Sequence, residues 1–293
     1  DRESKSEDFS DLFGPDASED LFGEEISIKK KGSTHPLVRA VKRYGQEKLE
    51  KELERVFNCS AVKVYEDGRL SIDYNFGTRQ ERLAEDWSPK IGRQGRIRWS
   101  VDWEGDLGRV FYGVRISEKG YLLCDIPLEE SFRIELSFNN PSAPSKQARL
   151  LVGAYDEESK MWYGNDFGAA VRADARGKVK EVAGHREIPE ALTVRWYRVD
   201  YENGKLTAWW AITSGRGGGI GFIFQEEPNY RKTGELLLEK KPGKVKPGFL
   251  FYSVVGTVGY VRITGFVDVE WLKDRIAERG ADIDLEEVKL EGL

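Results

Sequence analysis

Cysteine and histidine are nearly missing. The 293-residue chain holds two of each, Cys59 with Cys124 and His35 with His185. Residues so few and so scattered are poor material for a zinc site, and they form no readable Ser-His-Asp arrangement. No cofactor is expected from them. The two thiols leave two readings open, a single bridge in an exported protein or two buried sulfurs. A long apolar run is also lacking, so no segment is expected to span a bilayer. Positive charge is not in excess: 46 Lys and Arg stand against 51 Asp and Glu, a net charge of −5. That balance gives no global basic field for nucleic acid. No repeat of 20–50 residues is visible. The chain opens on Asp1 rather than Met, the form of a processed or partial chain, and an exported, extracytoplasmic setting is the expectation.

What is present is enough for a core. The hydrophobic set is 39% and the length is ample without covalent staples. Residues 1–32 read as an acidic disordered arm, since its apolar residues stand alone among carboxylates. It carries one tetrapeptide twice, Asp11-Leu12-Phe13-Gly14 and Asp20-Leu21-Phe22-Gly23. Leu12, Phe13, Leu21 and Phe22 are therefore candidates for bivalent docking to a protein partner, against the plainer reading of a solvating tail. Residues 33–58 follow as an amphipathic helix capped by Ser33 or Thr34, with Pro36 in its first turn and Gly45 interrupting its stripe. Its acids and bases alternate, which suits a solvated helix lying on a domain. Asn58-Cys59-Ser60 matches a glycosylation sequon.

From residue 59 to 272 the period is two. Strands are expected at 61–66, 69–76, 96–104, 109–116, 131–138, 148–155, 168–174, 178–183, 193–201, 205–213, 219–224, 234–239, 248–255 and 258–266. So many short strands without long helices between them argue a mainly β fold, a two-sheet antiparallel β-sandwich. A short helix capped by Asp268 and ended by Gly280 leads into an acidic tail, the two filling residues 273–293.

The Asn203-Gly204 turn fixes its own register. Tyr201 faces Leu206, Val199 faces Ala208 and Tyr197 faces Trp210 on the core side. On the opposite side Asp200 meets Thr207, Arg198 meets Trp209 and Trp196 meets Ala211. Trp196, Arg198, Asp200 and Trp209 are thus candidate ligand residues: indoles stack on the apolar side of a pyranose while Arg and Asp take hydroxyls. The competing reading is a cation–π pair decorating an outer face. The stretch 155–168, "YDEESKMWYGNDFG", clusters acids with aromatics and leaves a loop calcium site open but unassigned. "SGRGGGIGF" at 214–222 lacks the Lys-Ser/Thr pair and the following helix of a phosphate loop, and reads as a loop on the rim of a site.

"VRWYRVDYENGKLTAWW" at 194–210 and "VGYVRITGFVDVEWL" at 258–272 resemble the concanavalin A-like lectin and glucanase superfamily, laminin G-like jelly rolls included. The resemblance spans the strand region and implies a glycan-binding or glycan-cleaving role. In the laminarinase-like glucanases of that superfamily one strand carries Glu-x-Asp-x-Glu. By resemblance Asp102 would be the nucleophile, Glu104 its support and Asp106 the acid. Every identity is swapped from that pattern, and "EGDLGR" reads as a turn after Glu104, with Asp106 in it. The expectation is a binding module rather than an enzyme, with a glycan or a protein as partner, no nucleic acid and no membrane span.

Overall fold

The computed structural model describes residues 35–78, 81–104, 109–140, 145–189, 193–212 and 228–285. The arm with its Leu12, Phe13, Leu21 and Phe22, the caps at Ser33 and Thr34, Asp106, the strand expected at 219–224 and the glycine-rich 214–222 stretch lie outside the described residues.

Two helices come first, α1 (Pro36–Tyr44) and α2 (Gln46–Val56). The single helix expected over 33–58 is divided at Gly45, whose φ of 83° leaves the helical region. His35 caps α1, its Nδ1 accepting from the Leu37 amide at 3.3 Å. The strands are β1 (Ala61–Val64), β2 (Leu70–Asn75), β3 (Trp87–Ser88), β4 (Ile97–Glu104), β5 (Arg109–Ile116), β6 (Lys119–Cys124), β7 (Leu128–Asn140) and β8 (Arg149–Asp156). They continue as β9 (Met161–Asp166), β10 (Ala169–Asp174), β11 (Val179–Ala183), β12 (Thr193–Glu202), β13 (Lys205–Ile212), β14 (Arg231–Leu237), β15 (Val245–Tyr252) and β16 (Gly256–Val267). Helix α3 (Val269–Arg279) closes the order.

The strands form two antiparallel sheets. The first runs β1-β2-β16-β7-β12-β13-β14, with β5 beside the start of β16 and β4 beside β5. The second runs β3-β6-β15-β8-β9-β10-β11. A single pairing, Val245 with Leu128, links them. Alternation explains the layering. On β7, Phe132, Ile134, Leu136 and Phe138 are buried inward, and they share one core with Leu150, Val152, Phe249 and Phe251 of the second sheet. Each such side chain contributes roughly 1.5–3 kcal/mol by leaving water. The chain is thus a β-sandwich, as its strand pattern and its lectin-like resemblance imply.

The helices manage an edge. β1 ends the first sheet, and α2 covers its last residue: Gln46 donates to the Val64 carbonyl and the Glu50 carboxylate accepts the Val64 amide, both at 2.9 Å. Asp268 caps α3 through the amides of Glu270 and Trp271, and Gly280 ends it in the left-handed region, both as expected from sequence. Cys59 and Cys124 are free, buried thiols. Asn58 is only 9% exposed and its amide donates to Glu85 and Asp86, so the sequon is spent on structure.

Candidate functional site

The outer face of the first sheet carries an ordered polar row. Register places Asp73 of β2 beside Arg262 of β16, Arg262 beside Glu135 of β7, Glu135 beside Arg198 of β12 and Arg198 beside Trp209 of β13. These side chains alternate with the apolar ones inside, so the strand period that builds the core also builds the row. The charges alternate in sign, so Arg262 lies between two carboxylates, and Arg198 lies between Glu135 and the Trp209 indole. Arg262 makes a paired contact with Asp73 at 2.8 and 3.1 Å, and its other nitrogen stands 4.0 Å from Glu135. Arg198 grips Asp200 at 2.6 and 3.0 Å, and Arg133 reaches the same carboxylate at 2.8 Å. Such charge-assisted forks fix planar groups in place.

Aromatic rings flank the row. The Arg198 guanidinium lies 5.1 Å from the Trp209 ring centroid and 5.5 Å from that of Tyr230. Tyr260 stands edge-on to Trp196 at 5.8 Å. Burial pushes the Glu135 carboxyl above its ordinary range, although Arg262, Arg198 and Arg133 pull it back. Burial likewise pushes the Tyr230 hydroxyl, which sits beside Glu135, far up. The flanking charges keep partial access to water: the side chains of Arg198, Arg262, Asp73 and Asp200 are 17–21% exposed. They make a polar floor with aromatic sides, able to accept and donate at fixed positions.

The residues expected from sequence fall as follows. The β12–β13 hairpin has the pairing read from its turn, residue for residue, so Arg198, Asp200 and Trp209 share the outer face. Trp196 is also on that face but only 3% exposed, packed with Ala211 and Tyr260, so it supports the site and offers no stacking surface. Trp209 is half-buried, and its indole N–H has no hydrogen-bond partner among the described residues. Sequence reading missed Asp73, Glu135, Arg262, Tyr230 and Tyr260. The signal for Glu135 was there, a carboxylate inside the alternating run Phe132-Arg133-Ile134-Glu135-Leu136.

Asp102 and Glu104 lie on β4, two residues apart, and β4 ends at Glu104 opposite Arg109 of β5. Their side chains are outside the described set, as is Asp106. The 155–168 stretch is mostly strand rather than loop. Asp156 caps the β8–β9 turn, accepting the amides of Glu158, Ser159 and Gly243, and Asp166 is held by Arg149 and Arg186. Among the described residues no group of three or more His, Cys, Asp or Glu side chains is placed to hold a metal ion.

No protein-family model matches the sequence, and no curated protein matches it. Among solved structures, the chain is similar to a Shewanella oneidensis MR-1 protein of unknown function, at 12% identity over 73% of this chain and 92% of that one, TM-score 0.44. It is similar to lectin I of Ulex europaeus in complex with the methyl glycoside of α-L-fucose, at 14% identity over 68% and 98%, TM-score 0.40. It is also similar to peanut lectin with a 9mer peptide, at 10% identity over 69% and 99%, TM-score 0.38. These are likenesses in the course of the strands. The sandwich and the polar row stand on the pairing and contacts of this chain alone.

Proposed function

We propose that the chain is a non-catalytic, extracytoplasmic glycan-binding module whose ligand floor is the outer face of the first sheet. The observation that carries this reading is Arg198. It is locked by Asp200, sandwiched beside Trp209 and Tyr230, and still 17% exposed at the side chain. A fixed planar donor next to an aromatic ring and a carboxylate suits a pyranose, which presents hydroxyls at its edge and C–H groups on its face. The test is a glycan array followed by titration calorimetry on any hit. Arg198→Ala and Trp209→Phe should each weaken binding by at least ten-fold while the thermal melt stays cooperative. An array without hits, hits that both variants retain at full strength, or glycan cleavage during incubation would each refute the reading.

A further inference from the structure

The opposite side of the molecule holds a second feature, built on the outer face of the second sheet. A pocket of about 460 Å³ opens there. Six cations line it: Lys119, Lys146, Arg149, Arg176, Lys178 and Arg186. No carboxylate is in its lining, which Gln147, Gly177, Leu250 and Tyr252 complete. A cleft lined by one sign of charge focuses its field and concentrates ligands of the other sign.

The site has fixed and adjustable parts. Behind it Asp166, with no exposed surface, holds Arg149 at 2.8 Å and Arg186 at 2.9 Å. Arg186 also donates to the Ala148 carbonyl and lies over the Phe167 ring at 5.7 Å. Two guanidiniums are therefore held in place, and one carboxylate cannot neutralise both. Lys119, Lys146, Arg176 and Lys178 make no ion pair with any described residue. Register sets Lys119 of β6 and Arg149 of β8 on either side of Tyr252 of β15. Tyr252 is 42% exposed, with the Lys119 ammonium 5.9 Å from its ring centre. A second depression of about 360 Å³ shares Lys119 and adds Arg96 and the exposed Tyr121.

We infer that this pocket binds a short acidic glycan segment, an oligosaccharide carrying sulfate or carboxylate groups. Arg149 and Arg186 form the fixed fork for one anionic group, the four unpaired cations take others, and Tyr252 with Leu250 gives the sugar ring an apolar seat. The lining offers donors in abundance, which matches the sulfate or carboxylate oxygens of such a ligand. A volume of this size is that of a small-ligand cleft. A nucleic acid strand carries a charge about every 3.4 Å along its length. It would run on past a cleft of this size. A short saccharide segment is contained within it. The inference stands on the second sheet alone and does not require the first-sheet face to bind sugar.

The experiment uses the full chain and four probes: a heparin-derived oligosaccharide, an oligogalacturonate, neutral dextran and oligo(dT). Lys146, Arg176 and Lys178 are exposed, so a Lys146→Glu/Arg176→Glu/Lys178→Glu variant should melt like the parent. The parent should bind one or both acidic saccharides and not dextran. The triple variant should lose at least ten-fold in affinity and about three units in the slope of log affinity against log salt, roughly one per cation. Arg198→Ala should not reproduce the triple variant's drop in salt slope, which separates the pocket from the first-sheet site. The inference falls if neither acidic saccharide binds, if dextran binds equally, or if the triple variant binds as the parent does. It falls too if oligo(dT) binds through the same three residues as tightly as the saccharides, since the pocket would then be a nucleic-acid site.

Discussion

The Asn165 side chain, fully buried on β9, donates to the Trp209 carbonyl on β13 at 2.7 Å, from one sheet of the sandwich to the other. Its second amide hydrogen goes to the Arg198 carbonyl at 2.9 Å, and its oxygen accepts the Gly168 amide at 2.6 Å. One side chain thus pins, from inside, the backbone of two residues whose side chains form the candidate floor outside. Asn165→Ala would leave buried carbonyls unpaired, each at a cost of about 1–3 kcal/mol. The expected loss in guanidinium unfolding is roughly 2–4 kcal/mol. Asn165→Asp should be at least as harmful, because a carboxylate cannot donate. A loss near zero would show that the two carbonyls find other donors.

Glu135 makes a pH prediction with a definite sign. Burial raises its carboxyl above the ordinary value of 4.5, so the folded chain holds this proton more tightly than the unfolded chain does. Its contribution to stability is complete below the unfolded value and is lost as pH rises through the folded one. Glu135→Gln removes the titration and nearly keeps the shape. The variant should match the parent at pH 4 and become progressively more stable relative to it as the pH is raised toward 7. Urea unfolding at several pH values measures this. A variant that instead falls behind the parent as pH rises would mean that the three arginines outweigh burial.

The parts of the fold that were legible are those with local causes. The Asn203-Gly204 turn carried the β12–β13 register because a two-residue loop leaves no freedom to slip, and both residues have the positive φ the turn needs, 52° and 81°. Strands β6 and β9 were missed because a glycine interrupts each, and β9 ends on Asn165 and Asp166. Gly164 on β9 is no turn residue: a Cβ there would sit 2.4 Å from the Val152 carbonyl oxygen, so the position needs glycine for close packing. The polar row was half legible. Arg198 and Trp209 are neighbours in one hairpin, whereas Asp73 and Arg262 are 189 residues apart and meet only because β2 and β16 pair. The basic pocket was not legible, since its cations come one or two at a time from positions between 119 and 186 and the net charge conceals them.

The thiols should be silent in the folded protein. Cys59 and Cys124 have no exposed surface, and burial pushes the Cys124 thiol up to about 12 and the Cys59 thiol well above its usual range. Thiolate is the reactive form, so a thiol reagent at pH 8 should label neither residue natively and both in denaturant. Rapid native labelling of either would place that sulfur in a segment that opens easily.

The geometry around Arg198 separates a structural role from a binding role. Lysine keeps the charge but loses the planar fork on Asp200 and the flat surface beside Trp209 and Tyr230. Stability should suffer little from Arg198→Lys, because a cation remains near Asp200 and Glu135 and a partly exposed cation–π contact is worth only about 0.5–1 kcal/mol. Binding should suffer more, because a saccharide hydroxyl network needs donors at fixed angles. Arg198→Lys is therefore expected to melt within a few degrees of the parent and to lose most affinity for any glycan the array identifies. A Trp209→Phe change combined with it should cost less than the sum of the two single losses, since each removes the same stacked pair. Equal losses of stability and affinity, or strict additivity in the cycle, would make the row a brace for the sheet and remove it as the ligand floor.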